Sequence, residues 1–150
     1  MRTTKNETTN DELTKKDILA LDIATHTGYY SLHEGGTWNF TESKRKNNNK
    51  QHKDFRDTLM AFIQKYDIKQ IVAEDVNVNN HFTDMRKLDL PEPEFINVAT
   101  LKKWTTGDGR ADKKKMMEFC YKRYGITPID DNHSDAICIF YYYARKYRLN

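Results

Sequence analysis

The sequence predicts a mixed α/β domain: five strands in one sheet, an antiparallel hairpin on one side of it, and flanking helices. Three observations carry that prediction. Two short apolar runs, Ile18-Leu19-Ala20-Leu21 and Ile71-Val72-Ala73, have the length and continuity of strands buried on both faces. An aromatic-rich segment, residues 29–40, folds back around two glycines. Three other segments space their apolar residues at three and four, the period of a helix with one buried face.

From the N-terminus, residues 1–16 are polar, rich in Thr and Asn and without apolar periodicity. A flexible tail is expected there, ahead of a domain spanning residues 17–150. Strand one ends at Asp22. A short link, Thr25-His26-Thr27-Gly28, leads into Tyr29-Tyr30-Ser31-Leu32. Glu34-Gly35-Gly36 supplies the reversal, and Thr37-Trp38-Asn39-Phe40 returns as the second strand of the hairpin. Phe55, Leu59, Phe62 and Ile63 then fall on one face of a helix of roughly residues 53–65. Strand four carries Glu74. Residues 75–90 have weak helical character that Pro91 and Pro93 stop, because proline has no amide hydrogen and restricts its predecessor. A fifth strand is expected at residues 94–98, then a turn or short helix through Leu101 and Trp104 that Gly107-Asp108-Gly109 breaks. Asp112 can cap the next helix, whose apolar face reads Met117, Cys120 and Tyr124 and whose stop is Gly125. The last helix presents Ala136, Ile139, Phe140, Tyr143 and Tyr147 as its inner stripe. No internal repeat is visible.

A domain of 150 residues buries a core without covalent staples. Its two cysteines, Cys120 and Cys138, lie in helical apolar patterns and read as reduced core residues, not as a disulfide framework or metal pair. No apolar run approaches the ~18 residues of a membrane span, and the N-terminus is too polar for a signal peptide. Both point to a protein that works in the cytoplasm of the cell that makes it. The net charge of +3 is small, but the cations cluster. Lys44, Arg45, Lys46, Lys50 and Lys53 crowd one loop around an Asn run. Lys102, Lys103, Arg110, Lys113, Lys114 and Lys115 crowd a second segment, and Arg145, Lys146 and Arg148 a third. A solvated face explains any one cluster. Two basic segments beside a carboxylate trio fit a polyanion better, because surface cations release the counterions condensed on a phosphate backbone.

The trio is Asp22, Glu74 and Asp135. Asp22 closes one apolar run, Glu74 closes another, and Asp135 opens Asp135-Ala136-Ile137-Cys138-Ile139-Phe140. An acid ending a buried strand points out at the sheet edge while its neighbours anchor in the core. Two such strands side by side, with one acid at the start of a packed helix, make an oxygen-lined site for hard divalent cations. Each acid also has a plain structural explanation. Asp22 can simply end its strand, and Glu74 can pair with a surface lysine. Asn132-His133-Ser134-Asp135 is a capping-box pattern, with Asn132 as the cap and Asp135 three residues on. The repeated strand-end placement is what makes the joint reading stronger than its parts.

These segments resemble the motifs of the RuvC-type Holliday-junction resolvases. Ile18 to Tyr29, with its strand-end Asp22 and the Thr27-Gly28-Tyr29 that follows, resembles the first motif, and Ile71-Val72-Ala73-Glu74 the second. Ala99-Thr100-Leu101-Lys102-Lys103 with Thr106-Gly107-Asp108-Gly109-Arg110-Ala111-Asp112-Lys113 resembles the lysine-bearing region. Asp131-Asn132-His133-Ser134-Asp135-Ala136 resembles the closing acidic motif. The four occur in order over residues 17–143.

The resemblance implies an RNase H-like fold and a structure-selective endonuclease that cuts branched DNA, Holliday junctions or related forms, in recombination, repair or genome processing. It implies Asp22, Glu74 and Asp135 as catalytic ligands for Mg²⁺ or Mn²⁺, two ions in all. It also implies Lys102 and Lys113 as basic residues at the cleaved strand, Lys113 in a catalytic role. Lys103, Arg110, Lys44, Arg45 and Lys46 are the candidate DNA-backbone contacts. Phe82, in a polar Asn-Asn-His setting, is the best candidate for stacking on an unpaired base; Tyr29 is another, while Tyr30 and Trp104 read as core. Two departures matter. Where the family adds a fourth ligand three residues before the last acid, this chain has Asn132, so either its amide oxygen or the neighbouring Asp131 fills that place. The segment after Glu74 is short for the long helix that builds the family's homodimer, which leaves dimer formation open. The alternatives are a non-catalytic branched-DNA-binding module with the same fold, and an actin-like phosphotransferase fragment. Against the second stand the length and the missing second nucleotide-binding half.

Overall fold

A computed structural model of the chain describes residues 13–75, 92–107, 109 and 112–150. The central strand, β1 (Ile18–Asp22), is buried along its whole length, as a run of four apolar residues demands. The turn after it is closed by Thr27, whose hydroxyl donates to the Ala24 carbonyl (2.6 Å) and accepts from the Ala24 amide (3.3 Å). β2 (His26–Tyr30) therefore begins inside the expected link, two residues before Gly28. The chain reverses at residues 31–34, not at the glycines. The Ser31 amide and hydroxyl both donate to the Glu34 carbonyl, each at 3.0 Å, which leaves Gly35 and Gly36 inside β3 (Gly35–Asn39).

The Lys44 to Lys46 segment is not a loop. It forms the short helix α1 (Thr41–Lys46), and α2 (Asn48–Tyr66) starts at Asn48 instead of residue 53. The reason lies in the Asn run: the Asn47 side chain accepts from the Lys50 amide at 2.7 Å and caps the helix early. β4 (Gln70–Asp75) follows. The expected helical stretch at 75–90 and Pro91 lie beyond Asp75, outside the described residues. β5 (Glu94–Asn97) is succeeded by α3 (Val98–Thr106), α4 (Lys113–Tyr124) and α5 (Asp131–Lys146).

The sheet order is β3-β2-β1-β4-β5. β2 and β3 form the antiparallel hairpin on one side of β1, and β4 and β5 run parallel to β1 on the other. Alternation along the strands divides the core in two. Ile18, Ala20 and Val72 pack with Leu101, Met116 and the α5 residues Ile137 to Phe140, while Leu19, Leu21, Ile71 and Ala73 pack with Phe55, Leu59 and Phe62 of α2. Burying side chains such as Phe55 and Leu59 contributes roughly 1.5–3 kcal/mol each. The mixed five-stranded sheet with helices on both faces is thus the expected one.

Two stripes differ by detail. Met116, not Met117, is the fully buried methionine of α4: both lie about one turn before the buried Cys120, but it is Met116 that joins Leu101 and Ile137 in the core. On α5 the stripe runs Ala136, Ile139, Phe140, Tyr143 and stops there; Tyr147 follows the helix and is 46 % exposed. Cys120 and Cys138 are buried free thiols, sulfurs 3.3 Å apart, in keeping with reduced core residues. Where the expected tail meets the domain, a turn at Lys15–Asp17 is tied to the other end of the chain by the Lys15 amide, which donates to the Asn150 carbonyl (3.0 Å). Among the described residues, no helix is long and apolar enough to cross a membrane.

Candidate metal centre

β1, β4 and β5 end, and β2 begins, at one end of the sheet. Asp22 is the last residue of β1, and Leu21 pairs with Ala73, so Glu74 lies in step beside Asp22 on the neighbouring strand. Both acids share the parity of Ala20 and Val72, which face α5. Asp135 is on α5, one turn before the buried Cys138 and Ile139. The result is that one carboxylate oxygen from each of Asp22, Glu74 and Asp135 lies within 4.8 Å of the others. Three residues far apart in sequence meet at a single point.

Burial makes that meeting unfavourable for charge. Asp22 is 9 % and Glu74 7 % exposed. Loss of solvent, then the Glu74 charge, pushes the Asp22 carboxyl up to about 8. Burial and Asp135 push Glu74 up to about 7, and burial with Asp22 and Asp131 does the same to Asp135, also to about 7. Desolvation and like charge act in one direction here. Lys102, half-buried on α3, opposes it: its charge lowers both Glu74 and Asp135. Three clustered carboxylate oxygens are a donor set that could hold a metal ion.

The N-terminus of α5 is fixed by contacts that sequence reasoning missed. Its cap is Asp130, not Asn132: the Asp130 carboxylate accepts from the His133 amide (2.8 Å) and from the Thr37 hydroxyl of β3 (2.8 and 2.9 Å). Asp135 is therefore five residues past the cap and has no part in capping. His133 is buried and accepts from the Ile129 amide through Nδ1 (3.0 Å), which fixes the neutral ring that its burial also favours. Gly28, opposite Asp22 on β2, is where the helix touches the sheet. A Cβ there would lie 1.9 Å from the Asn132 carbonyl oxygen. The one signal in the sequence was the run Asp130-Asp131-Asn132, which offers three cap residues in a row.

The other candidates divide. Lys113 opens α4 with its ammonium 3.1 Å from the Asp131 carboxylate, and it feels the charges of Asp135 and Asp22 as well. Asp131 is at the rim: its charge raises Asp22 and Asp135, but the ion pair holds it to Lys113. Asn132 has its backbone carbonyl against Gly28. Lys103 is exposed on α3. Lys44, Arg45 and Lys46 are exposed on α1, which springs from the same end of the sheet: the Phe40 amide donates to Thr25, and the Thr41 hydroxyl is 3.3 Å from His26. Arg45 is paired with Glu42 at 2.9 Å. Arg110 and Phe82 lie outside the described residues. Tyr29 is stacked on Trp38 at 4.5 Å between centroids and edge-on to Phe62, which makes it a packing residue. Tyr30 meets Phe140 edge-on at 5.0 Å, as core.

A sheet of this order, with its hairpin, its parallel pair and its helices on both faces, is the RNase H-like fold of the RuvC type. The solved structure of RuvC from Thermus thermophilus shares it, with a TM-score of 0.65 over 86 % of this chain and 95 % of that one, at 14 % sequence identity. The T. thermophilus RuvC in complex with Holliday junction substrate matches with a TM-score of 0.62 over 86 % and 94 %, at 13 % identity. The expected resemblance therefore holds for the fold. No protein-family model and no curated protein sequence matches the chain.

Proposed function

We propose that this chain is a divalent-metal-dependent endonuclease that cuts branched DNA, Holliday junctions or related forms, in recombination, repair or genome processing. The observation that carries the reading is the convergence of Asp22, Glu74 and Asp135 at one end of the sheet. In this reading the three carboxylates hold two Mg²⁺ or Mn²⁺ ions, with Asp131 or Asn132 completing the set. Ions held there would supply Lewis acidity at the phosphodiester and make an attacking water more acidic.

The protein's own groups do the rest. Lys102 and Lys113 flank the acids and place positive charge where a phosphate oxygen enters. The pair with Asp131 keeps Lys113 oriented until a phosphate competes for it. Lys103, with Lys44, Arg45 and Lys46 on α1, tracks the DNA backbone beside the site, and Arg110 is assigned to the same role from the sequence alone; phosphate contacts fix register and carry no sequence preference. The likeness to a RuvC bound to a Holliday junction supports branched DNA as the substrate class.

The test is a four-way junction incubated with the purified protein, with and without Mg²⁺. Metal-dependent nicking is expected, and Asp22→Asn should abolish it while junction binding in Ca²⁺ or EDTA persists, since the acid serves the metal and not the fold. Junction binding with no nicking at any divalent ion would instead establish a binding module on the same fold. Cutting by Asp22→Asn near the unmutated rate would overturn the metal assignment.

A further inference from the structure

The far end of the domain carries a second feature that the acid cluster does not use. α3, α4 and α5 all start near the acids and deliver their C-terminal ends to the opposite side, where they line a cavity of about 620 Å³. Cations of three origins reach it: Lys15 from before β1, Arg123 from the last turn of α4, and Arg145 and Arg148 from the end of α5 and beyond. None of these four has a carboxylate partner among the described residues, whereas Lys146 beside them is held by Glu94 at 3.4 Å. The walls between the cations are aromatic: Trp104, edge-on to Tyr142 at 5.2 Å, and Tyr124 stacked on Tyr141 at 4.1 Å.

Basic residues in a last helical turn ordinarily complement the helix dipole, and Arg123 and Arg145 need nothing more. Lys15 and Arg148 are not in these helices. Arg148 takes a left-handed backbone (φ 52°), unusual for a residue with a side chain. The Leu149 amide then bonds the Ala144 carbonyl at 2.9 Å, which folds the chain back so that Leu149 becomes part of the rim. Cations with no carboxylate partner among the described residues, set around planar rings in a concavity of the volume that small ligands occupy, match one ligand chemistry.

We propose that this cavity binds a nucleotide unit, its phosphate among Lys15, Arg123, Arg145 and Arg148 and its base against Trp104, Tyr124 and Tyr141. The unit is either a free nucleotide or one nucleotide of an unpaired strand. Rings add sequence-tolerant stacking, because every base has a π-face, and cations add salt-dependent phosphate affinity. The site lies away from the acid cluster, so the proposal does not depend on nuclease activity.

The experiment uses the full chain in EDTA, which removes any metal-held contact at the acids. Binding of AMP, of a labelled short oligothymidylate and of inorganic phosphate is measured by calorimetry and anisotropy. At least one of the two nucleotide probes should bind, and inorganic phosphate should bind about tenfold more weakly or worse, since it has nothing to stack. Arg123→Gln with Arg145→Gln, and separately Trp104→Leu, should each reduce that binding about tenfold. The arginine pair is exposed, so it tests the site even if the Trp104 variant fails to fold. Because the basic surface beside the acids also attracts a strand, only binding lost in the arginine pair counts: loss of AMP binding alone identifies a free nucleotide, and loss of oligothymidylate binding alone identifies a strand, and both support the site. Binding of neither probe, phosphate binding as tight as AMP, or affinities unmoved by the arginine pair would each overturn it.

Discussion

Asp130 and Asp135 sit five residues apart and do opposite things. Asp130 accepts two hydrogen-bonding partners, the His133 amide and the Thr37 hydroxyl, and both stabilise the fold. Asp130→Ala should cost about 1–2 kcal/mol, the range of a good N-cap, seen as a lower melting temperature with or without Mg²⁺. Asp135 faces two other buried carboxylates, so its charge opposes folding when no cation is bound. Asp135→Asn should therefore melt at the same or a higher temperature than the unmutated protein in EDTA, while Mg²⁺-dependent nicking falls by orders of magnitude. A variant that melts lower in EDTA and still cuts would return Asp135 to a structural role and reduce the trio to a pair.

At the level of the elements, what matters is how closely α5 lies on the hairpin. A Cβ on Gly28 would meet the Asn132 carbonyl at 1.9 Å, backbone against backbone, with no flexible side chain to give way. Gly28→Ala should lift the start of α5 off the sheet and carry Asp135 away from Asp22 and Glu74. Destabilisation by about 1–3 kcal/mol, as for an overpacked core, should come with loss of nicking. Gly36→Ala is the control, since its nearest contacts would be an ordinary 3.5 Å; equal damage from both would show that the hairpin tolerates no added methyl and that the α5 contact is not special. The basic helix α1 makes a separate prediction. Neutralising Lys44, Arg45 and Lys46 should weaken binding to DNA of every shape and reduce the slope of log affinity against log salt by roughly 0.9 for each phosphate no longer neutralised; an unchanged slope would mean α1 is only solvated. The elements themselves were largely legible. β1 and β4 announced themselves as continuous apolar runs, and the strand-end positions of Asp22 and Glu74 came with them. Cap competition was not legible: with Asp130, Asp131 and Asn132 adjacent, the pattern favoured Asn132, and the contact with Thr37 of β3 decided for Asp130. The one-residue error between Met116 and Met117 has a similar origin, because two adjacent methionines satisfy the helical period almost equally. That Gly28 is a docking surface follows only from the packing of α5 on β2, which no local pattern encodes.

Across the whole molecule, the three acids link folding to both protons and metal. Their carboxyls titrate near 7 to 8 in the folded protein, all raised by burial and mutual repulsion, and near 4 when unfolded. Between those limits the folded state holds protons that the unfolded state has released. The contribution to stability is fully present below the unfolded value and is lost as pH rises through the folded one. His133 acts in the opposite sense: its lowered value removes stability as pH falls, so its influence is confined to the acid side of about 6.5. Cys138, raised by Cys120 and burial, matters only near the alkaline range of a thiol. Among the described groups whose values are shifted, the three acids are the ones that titrate between pH 6.5 and 8. In EDTA the melting temperature should fall across that range by a few degrees, taking about 2–4 °C per kcal/mol for a domain of this size. Saturating Mg²⁺ should remove most of that fall, because a bound cation stabilises the ionised carboxylates and raises stability by mass action. The gain from Mg²⁺ should accordingly be larger at pH 8 than at 6.5, where protons compete for the same oxygens. Thermal melts at both pH values, with Mg²⁺ and with EDTA, check the sign directly. The same four melts on Asp22→Asn should show a flatter pH dependence and little response to Mg²⁺. A full response in that variant would place the metal somewhere other than between β1, β4 and α5.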